Sequence, residues 1–404
     1  MAKISADLGT GRGSVGLVLD LAWGHGVFTA SDAMAASGLT RSTTIDALDT
    51  LVAAGVLREL PNARDAGEYR AGRPARRFEL PTDLGAVIGI DSGDSHLTVT
   101  VADLAGSVLA SARRALGAQQ TPQERRDDIV DAVRSTLASA GIDRKDVLAL
   151  CAGVAAPVAR DGSSPPHPEG FWERTNPGLV DALADWAQVV QIKNDAQLAA
   201  AAEGAAGEAI GCRDYIALLA GERLGAGVVV DGLLLHGAHG GVGEMFAFDY
   251  VRDVDSAFGL GAAAEELAQR LLRSGEADPD GALAKLRPEQ VDGGHIMALA
   301  AAQDPDALRV ANRLGERLAR IVGVLGSMFD PQRVIICGAV AEGIGPVLDA
   351  TREALAPLLH LPRPELIASQ LGGDIVTQGA LATALQSARA TALPRLAQER
   401  LREM

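Results

Sequence analysis

The feature that most constrains this chain is a cluster of strand-like apolar runs that occurs twice. Ala86-Val-Ile-Gly-Ile-Asp91 is apolar almost throughout, His96–Ala102 alternates, and Val108 opens a third strand. A helix over 122–140 follows, and Val147–Val154 and Val189–Ile192 add buried strands. The second cluster begins at Tyr215–Ala220, continues through Ala226–Asp231 and ends with Arg333–Cys337, with long amphipathic helices around 262–273 and 306–328. Strand clusters alternating with helices specify an α/β layer architecture. The 404 residues are enough for a large core and two or three domains.

The first 80 residues have a different character. Val15–Trp23 is an apolar helix, Thr29 or Ser31 caps a second that Gly38 terminates, and Thr40 caps a third. In that third helix Thr44, Leu48, Leu51 and Val52 share one face. Gly55 ends it, and Val56–Leu60 and Arg76–Leu80 have the composition of two strands. The intervening polar loop, Pro61–Pro74, holds Arg64, Arg70 and Arg73. Three helices followed by a hairpin outline a winged helix-turn-helix. Its recognition helix would present Arg41, Ser42 and Thr43 to base edges and phosphates, while Arg70, Arg73 and Arg76 would serve the wing. Gly72-Arg73-Pro74 suits insertion into a narrow minor groove. A packing module of three helices that binds no DNA is the alternative.

Charge divides along the same boundary. The net charge is −15, yet residues 1–80 carry nine basic and nine acidic side chains, leaving the whole excess to the remainder. A neutral N-terminal segment can approach phosphates that the rest would repel. Aromatic residues, at 3%, are too few for a base-stacking RNA reader. Cys151, Cys212 and Cys337 are too scattered for a disulfide framework and read as ordinary thiols. His236-x-x-His239 lacks the further ligands a metal site requires, so no metal is expected. Neither a signal segment nor a membrane span is expected, which places the chain in the cytoplasm.

Taken in order, the winged helix, Gly72-Arg73-Pro74, Ile88-Gly-Ile-Asp-Ser-Gly93, Lys193-Asn-Asp-Ala196, Gly240-Gly-Val-Gly-Glu244 and Val334-Ile-Ile-Cys-Gly-Ala339 resemble the ROK family. That family comprises bacterial sugar kinases and sugar-responsive repressors of the xylose and N-acetylglucosamine types. The resemblance implies an actin-like, ribonuclease H-like sugar-kinase domain of two lobes behind the DNA-binding module. The implied boundaries are 1–80 for the winged helix and 81–404 for the kinase-like domain. Its lobes would cover approximately 84–195 with the C-terminal helix, and 196–375. It also implies that Asp195 matches the family's catalytic base, that Asn194 helps hold sugar, and that Glu244 contacts it. Trp172 falls in the substrate loop, where it would stack on a pyranose or pack in the core.

Departures from the family pattern direct the functional reading. Ala247 stands where the family has a sugar- and zinc-binding His, and the zinc cysteines are missing. In the first phosphate loop Asp91, Gly93 and Ser95 match, but Asp94 adds negative charge beside the nucleotide position. In the second, Gly225 remains and Arg223 replaces a glycine. The expected function is therefore a DNA-binding regulator, foremost a repressor. A degenerate, non-enzymatic kinase domain would sense a sugar or sugar phosphate, requiring no cofactor, and a homodimer or homotetramer would read operator DNA. The alternatives are an active ATP-dependent sugar kinase with a fused DNA-binding domain, and a regulator controlled by a protein partner.

Overall fold

The computed structural model describes residues 13–61, 75–117, 119–221, 223–254, 256–287 and 290–403. The expected wing loop, with Arg64, Arg70, Gly72 and Arg73, lies outside them.

Helices α1 (Ser14–Gly24), α2 (Ala30–Ser37) and α3 (Arg41–Ala53) form where the sequence places them. Thr29 and Asp32 build a reciprocal capping box at the start of α2, with Thr29 N–H donating to Asp32 Oδ2 at 2.8 Å. Thr40 caps α3 by accepting from the Thr43 N–H. Thr44, Leu48 and Leu51 are buried against Val18 and Leu19 of α1. The two expected strands are shorter than their composition implies, β2 being Arg58–Leu60 and β3 Arg77–Glu79. A further strand, β1 (Phe28–Thr29), pairs with β3 and completes a small antiparallel sheet of order β1-β3-β2. Phe28 and Phe78 seal it, their ring centroids 6.0 Å apart.

Two five-stranded sheets follow, and their topologies match. In the first, β4 (Ala86–Ser92), β5 (His96–Asp103) and β6 (Val108–Ala115) form an antiparallel meander. Strands β7 (Val147–Val154) and β8 (Val189–Asn194) add in parallel, giving the order β6-β5-β4-β7-β8. In the second, β9 (Tyr215–Ala220), β10 (Leu224–Val230) and β11 (Leu233–Leu234) form the meander, and β12 (Arg333–Cys337) and β13 (Glu365–Ala368) add in parallel. The order β11-β10-β9-β12-β13 repeats the first. β4 and β7 are buried along their whole length, as parallel central strands covered on both faces require.

Helix α4 (Pro122–Ala140) covers the first sheet. Short helices α5 (Phe171–Thr175) and α6 (Leu179–Leu183) lie between β7 and β8. Helix α7 (Asp195–Ala206) starts at the end of β8 and packs against β9 and β10, so it stands between the sheets. α8 (Leu260–Ser274), α9 (Gly293–Ala301), α10 (Pro305–Phe329) and α11 (Gly345–Leu355) enclose the second lobe.

The chain then returns to the first lobe. Helix α12 (Ile375–Ser387) crosses β4, β7 and α7. Its approach to α7 is so close that a Cβ on Gly379 would lie 1.9 Å from the Leu198 carbonyl oxygen. One π-helical turn, Ala388–Ala392, leads into α13 (Leu393–Glu403). Leu393 and Ala397 are buried in an apolar cluster continuous with the core of the N-terminal helices. Arg389 pairs with Asp20 at 3.0 Å, and Arg400 donates to the Gly55 carbonyl at 3.0 Å. Among the described residues no helix is long and apolar enough to cross a membrane.

Candidate ligand cleft and DNA-facing helix

The ends of β4 and β8 and the start of β10 converge between the two lobes. Asn194, the last residue of β8, caps α7: its Oδ1 accepts from Gln197 N–H at 3.1 Å and its Nδ2 donates to the Ala156 carbonyl at 3.2 Å. Asn194, expected to contact a ligand, has one hydrogen bond to backbone at each end of its amide. These bonds hold the strand–helix corner.

Asp195 opens α7 and accepts from the Ala196 N–H at 2.8 Å through Oδ1. Burial pushes its carboxyl up to about 7, and the nearby Glu244 and Asp91 charges add to the rise. Glu244 is likewise pushed to about 7 by burial, opposed by Arg223. Glu244 reaches this place because the glycine loop before it lies tightly against β10. Gly243 has φ +92°, and a Cβ there would sit 1.7 Å from the Ala226 carbonyl oxygen. The Ala226 N–H donates to the Gly243 carbonyl at 3.0 Å, and Glu244 forms a β-bridge with Gly225. Asp195, Glu244 and Asp91 thus form one acidic group, a set of acceptors suited to ligand hydroxyls.

Three side chains that the sequence reading missed fill the first phosphate loop. His96 Nε2 meets Asp91 Oδ2 at 3.0 Å, and its ring lies over Gly93. Asp94, expected to project bare negative charge, instead pairs with Arg174 at 2.9 Å. The fully buried Arg125 donates to the Gly93 carbonyl and, at 3.1 Å, to that of Asp94. Arg125 was detectable: it falls on the apolar face of α4 with Ile129, Ala132 and Val133, where a charged residue demands a reason. Ser95 is exposed.

The second loop is dominated by aromatic contacts. The Arg223 guanidinium lies 5.1 Å from the Phe246 ring centre and 5.7 Å from that of Phe258. Phe246 meets Trp172 at 6.0 Å and His167 at 6.3 Å, and Trp172 packs edge-on to His167 at 4.8 Å. Trp172 therefore bridges the lobes through Phe246. Phe246 occupies the glycine position of the E-x-G-H pattern, the signal that could have identified it.

In the N-terminal unit, Arg41 and Ser42 are exposed on the first turn of α3 and Thr43 is partly exposed. Among the described residues nothing binds the Arg41 guanidinium. The Thr43 hydroxyl lies 2.8 Å from that of Thr40, and that of Ser42 3.2 Å. Arg76, expected to contact DNA, pairs with Asp49 and Glu59, each at 2.7 Å, and remains partly exposed.

The duplicated sheet topology around an interlobe acidic cleft defines the actin-like sugar-kinase class of protein. Comparison with known proteins narrows this: the ROK family model matches residues 87–387, and the chain belongs to the ROK family. A glucokinase of Streptomyces coelicolor is 26% identical, over 74% of this chain and 96% of its own. A xylose repressor of Caldicellulosiruptor bescii is 24% identical, over 78% of this chain and 80% of its own. The crystal structure of a ROK family transcriptional regulator, a homologue of the E. coli MLC protein, superposes with a TM-score of 0.76 at 20% identity. That superposition covers 95% of this chain and 98% of the other. Coverage so nearly complete extends the shared fold into the N-terminal helices.

Proposed function

We propose that this chain is a sequence-specific DNA-binding regulator, foremost a repressor, whose kinase-like domain senses a carbohydrate. The observation that carries the reading is α3: a recognition-helix candidate with Arg41 and Ser42 exposed on its first turn, joined to a ROK domain. The full-length likeness to a ROK transcriptional regulator and the similarity to a xylose repressor support it. In this reading residues 1–80 form the winged helix-turn-helix and 81–404 the sensor. The sensor's lobes are approximately 84–195 with the C-terminal helix, and 196–375. Arg41, Ser42 and Thr43 contact operator DNA, with Arg70 and Arg73 on the wing. Asp195 and Glu244 accept hydrogen bonds from the sugar, Asn194 holds the corner and Trp172 supplies an apolar wall. The occupied first loop disfavours nucleotide: His96 pairs with Asp91 and lies over Gly93, and Arg125 holds the Gly93 and Asp94 carbonyls, while Arg223 brings a bulky side chain to the second loop. Two half-sites call for a homodimer or homotetramer.

Fluorescence anisotropy on the gene's own upstream DNA tests this reading across salt, with and without a panel of sugars and sugar phosphates. Specific binding that weakens with salt and shifts with one sugar is expected. Absence of specific binding at every salt concentration would sink it. One observation favours a second reading, an active sugar kinase. Asp195 carries a carboxyl raised to about 7, suited to general-base work, on a chain similar to a glucokinase. Sugar-dependent ADP release, abolished in Asp195→Ala, would establish that reading.

A further inference from the structure

A cavity of about 560 Å³ lies behind the cleft, walled by β8, α7, β10, β11, α12 and the π turn. Its lining omits Asn194, Asp195, Glu244 and Trp172. Strand alternation makes it separate: Gln191 and Lys193, which line it, face away from the side of β8 that carries Ile192 and Asn194. No lining residue is acidic, although the chain has 52 acidic residues, and Lys193 is one of only four lysines. Among the described residues no carboxylate pairs with Lys193. The other polar groups are amides and hydroxyls, including Gln191, Gln197, Ser387 and Thr391. Gln197 is 1% exposed, and neither Oε1 nor Nε2 of its amide finds a hydrogen-bond partner. A buried amide with both ends unmet is costly, so the wall is incomplete without something to bind.

We propose that this cavity is a second ligand site, distinct from the Asp195 cleft, which takes a small hydroxylated anion, a sugar acid or a sugar phosphate in size and chemistry. Lys193 neutralises the anionic group while Gln197, Thr391 and the Nε2 of Gln191 engage the hydroxyls, the Gln191 amide being held by Ser387 at 3.0 Å. The π turn forms part of the wall through Ala390 and Thr391, and π turns commonly mark functional positions in helices. Binding is claimed whether or not the chain reads DNA.

Isothermal titration of the full chain at constant ionic strength with D-gluconate, glucose 6-phosphate and orthophosphate tests the site. One of the two hydroxylated anions is expected to bind saturably with one site per chain. Lys193→Met should weaken it about tenfold or more, as loss of a charge-assisted hydrogen bond does. Asp195→Asn should weaken it far less than Lys193→Met does, because Asp195 does not line the cavity. Ala390→Phe, at an exposed position on the cavity wall, narrows the space and should weaken binding even if Lys193→Met folds poorly. The proposal is overturned by no saturable binding of either hydroxylated anion, or by orthophosphate binding as tightly as they do. It is equally overturned if Asp195→Asn abolishes binding while Lys193→Met and Ala390→Phe retain it.

Discussion

With its folded pKa raised from 3.8 to about 7, Asp195 imposes no ionisation penalty below the unfolded value. The penalty grows between the two values and is constant above them. His96 acts in the same direction: its hydrogen bond to Asp91 raises its pKa above 6.5. That stabilisation is complete below 6.5 and is lost as pH rises through the folded value. Thermal unfolding should therefore occur at a lower temperature at pH 8 than at pH 5.5. Asp195→Asn should recover on the order of a few kcal/mol at pH 8 and much less at pH 5. Calorimetry at the two pH values checks this, and an equal gain at both would contradict the assigned direction. Aspartate in the K-N-D stretch and glutamate after the glycine loop were legible from the sequence, because both are local patterns. The neighbours that crowd the phosphate loops were not. His96 reaches back over Gly93, and Arg174 meets Asp94 from 80 positions away. Chain separation alone does not reveal such pairings.

Elements made by local chemistry appear where the sequence places them. Thr29 and Thr40 cap their helices, α4 begins after a Thr121–Glu124 capping box with Pro122 in its first turn, and the fully apolar β7 matches its expected limits. The elements missed are those whose existence depends on a partner. β1 has two residues and exists by pairing with β3, and β13 has four residues beside prolines and pairs only with β12. Two predictions belong to this scale. Thr40→Ala removes the cap of α3 and should cost about 1 kcal/mol. It should also lower DNA affinity by loosening the turn that carries Arg41, as chemical denaturation and anisotropy on one sample would show. Gly243→Ala places a methyl group against the Ala226 carbonyl at positive φ and should cost on the order of 3 kcal/mol. Unchanged denaturation midpoints would refute either assignment.

At the scale of the whole molecule, α12, the π turn and α13 join the cleft to the N-terminal helices. α12 lies on α7, which Asp195 begins, and α13 shares the core of the N-terminal unit. Leu393→Ala, at a fully buried position in that joint, should cost about 2–5 kcal/mol. Faster amide hydrogen exchange in α1 and α3 than in β4 and β7 would locate the damage there, whereas a uniform change would argue against a local joint. The same connection governs the order of events during synthesis. Arg400 meets the Ala54 carbonyl across 346 positions of chain. At ribosomal rates of about 5–20 residues per second, the N-terminal helices wait roughly 20–70 s for the segment that completes their core. A nascent chain thus carries α3 long before the segment that docks against it has been made.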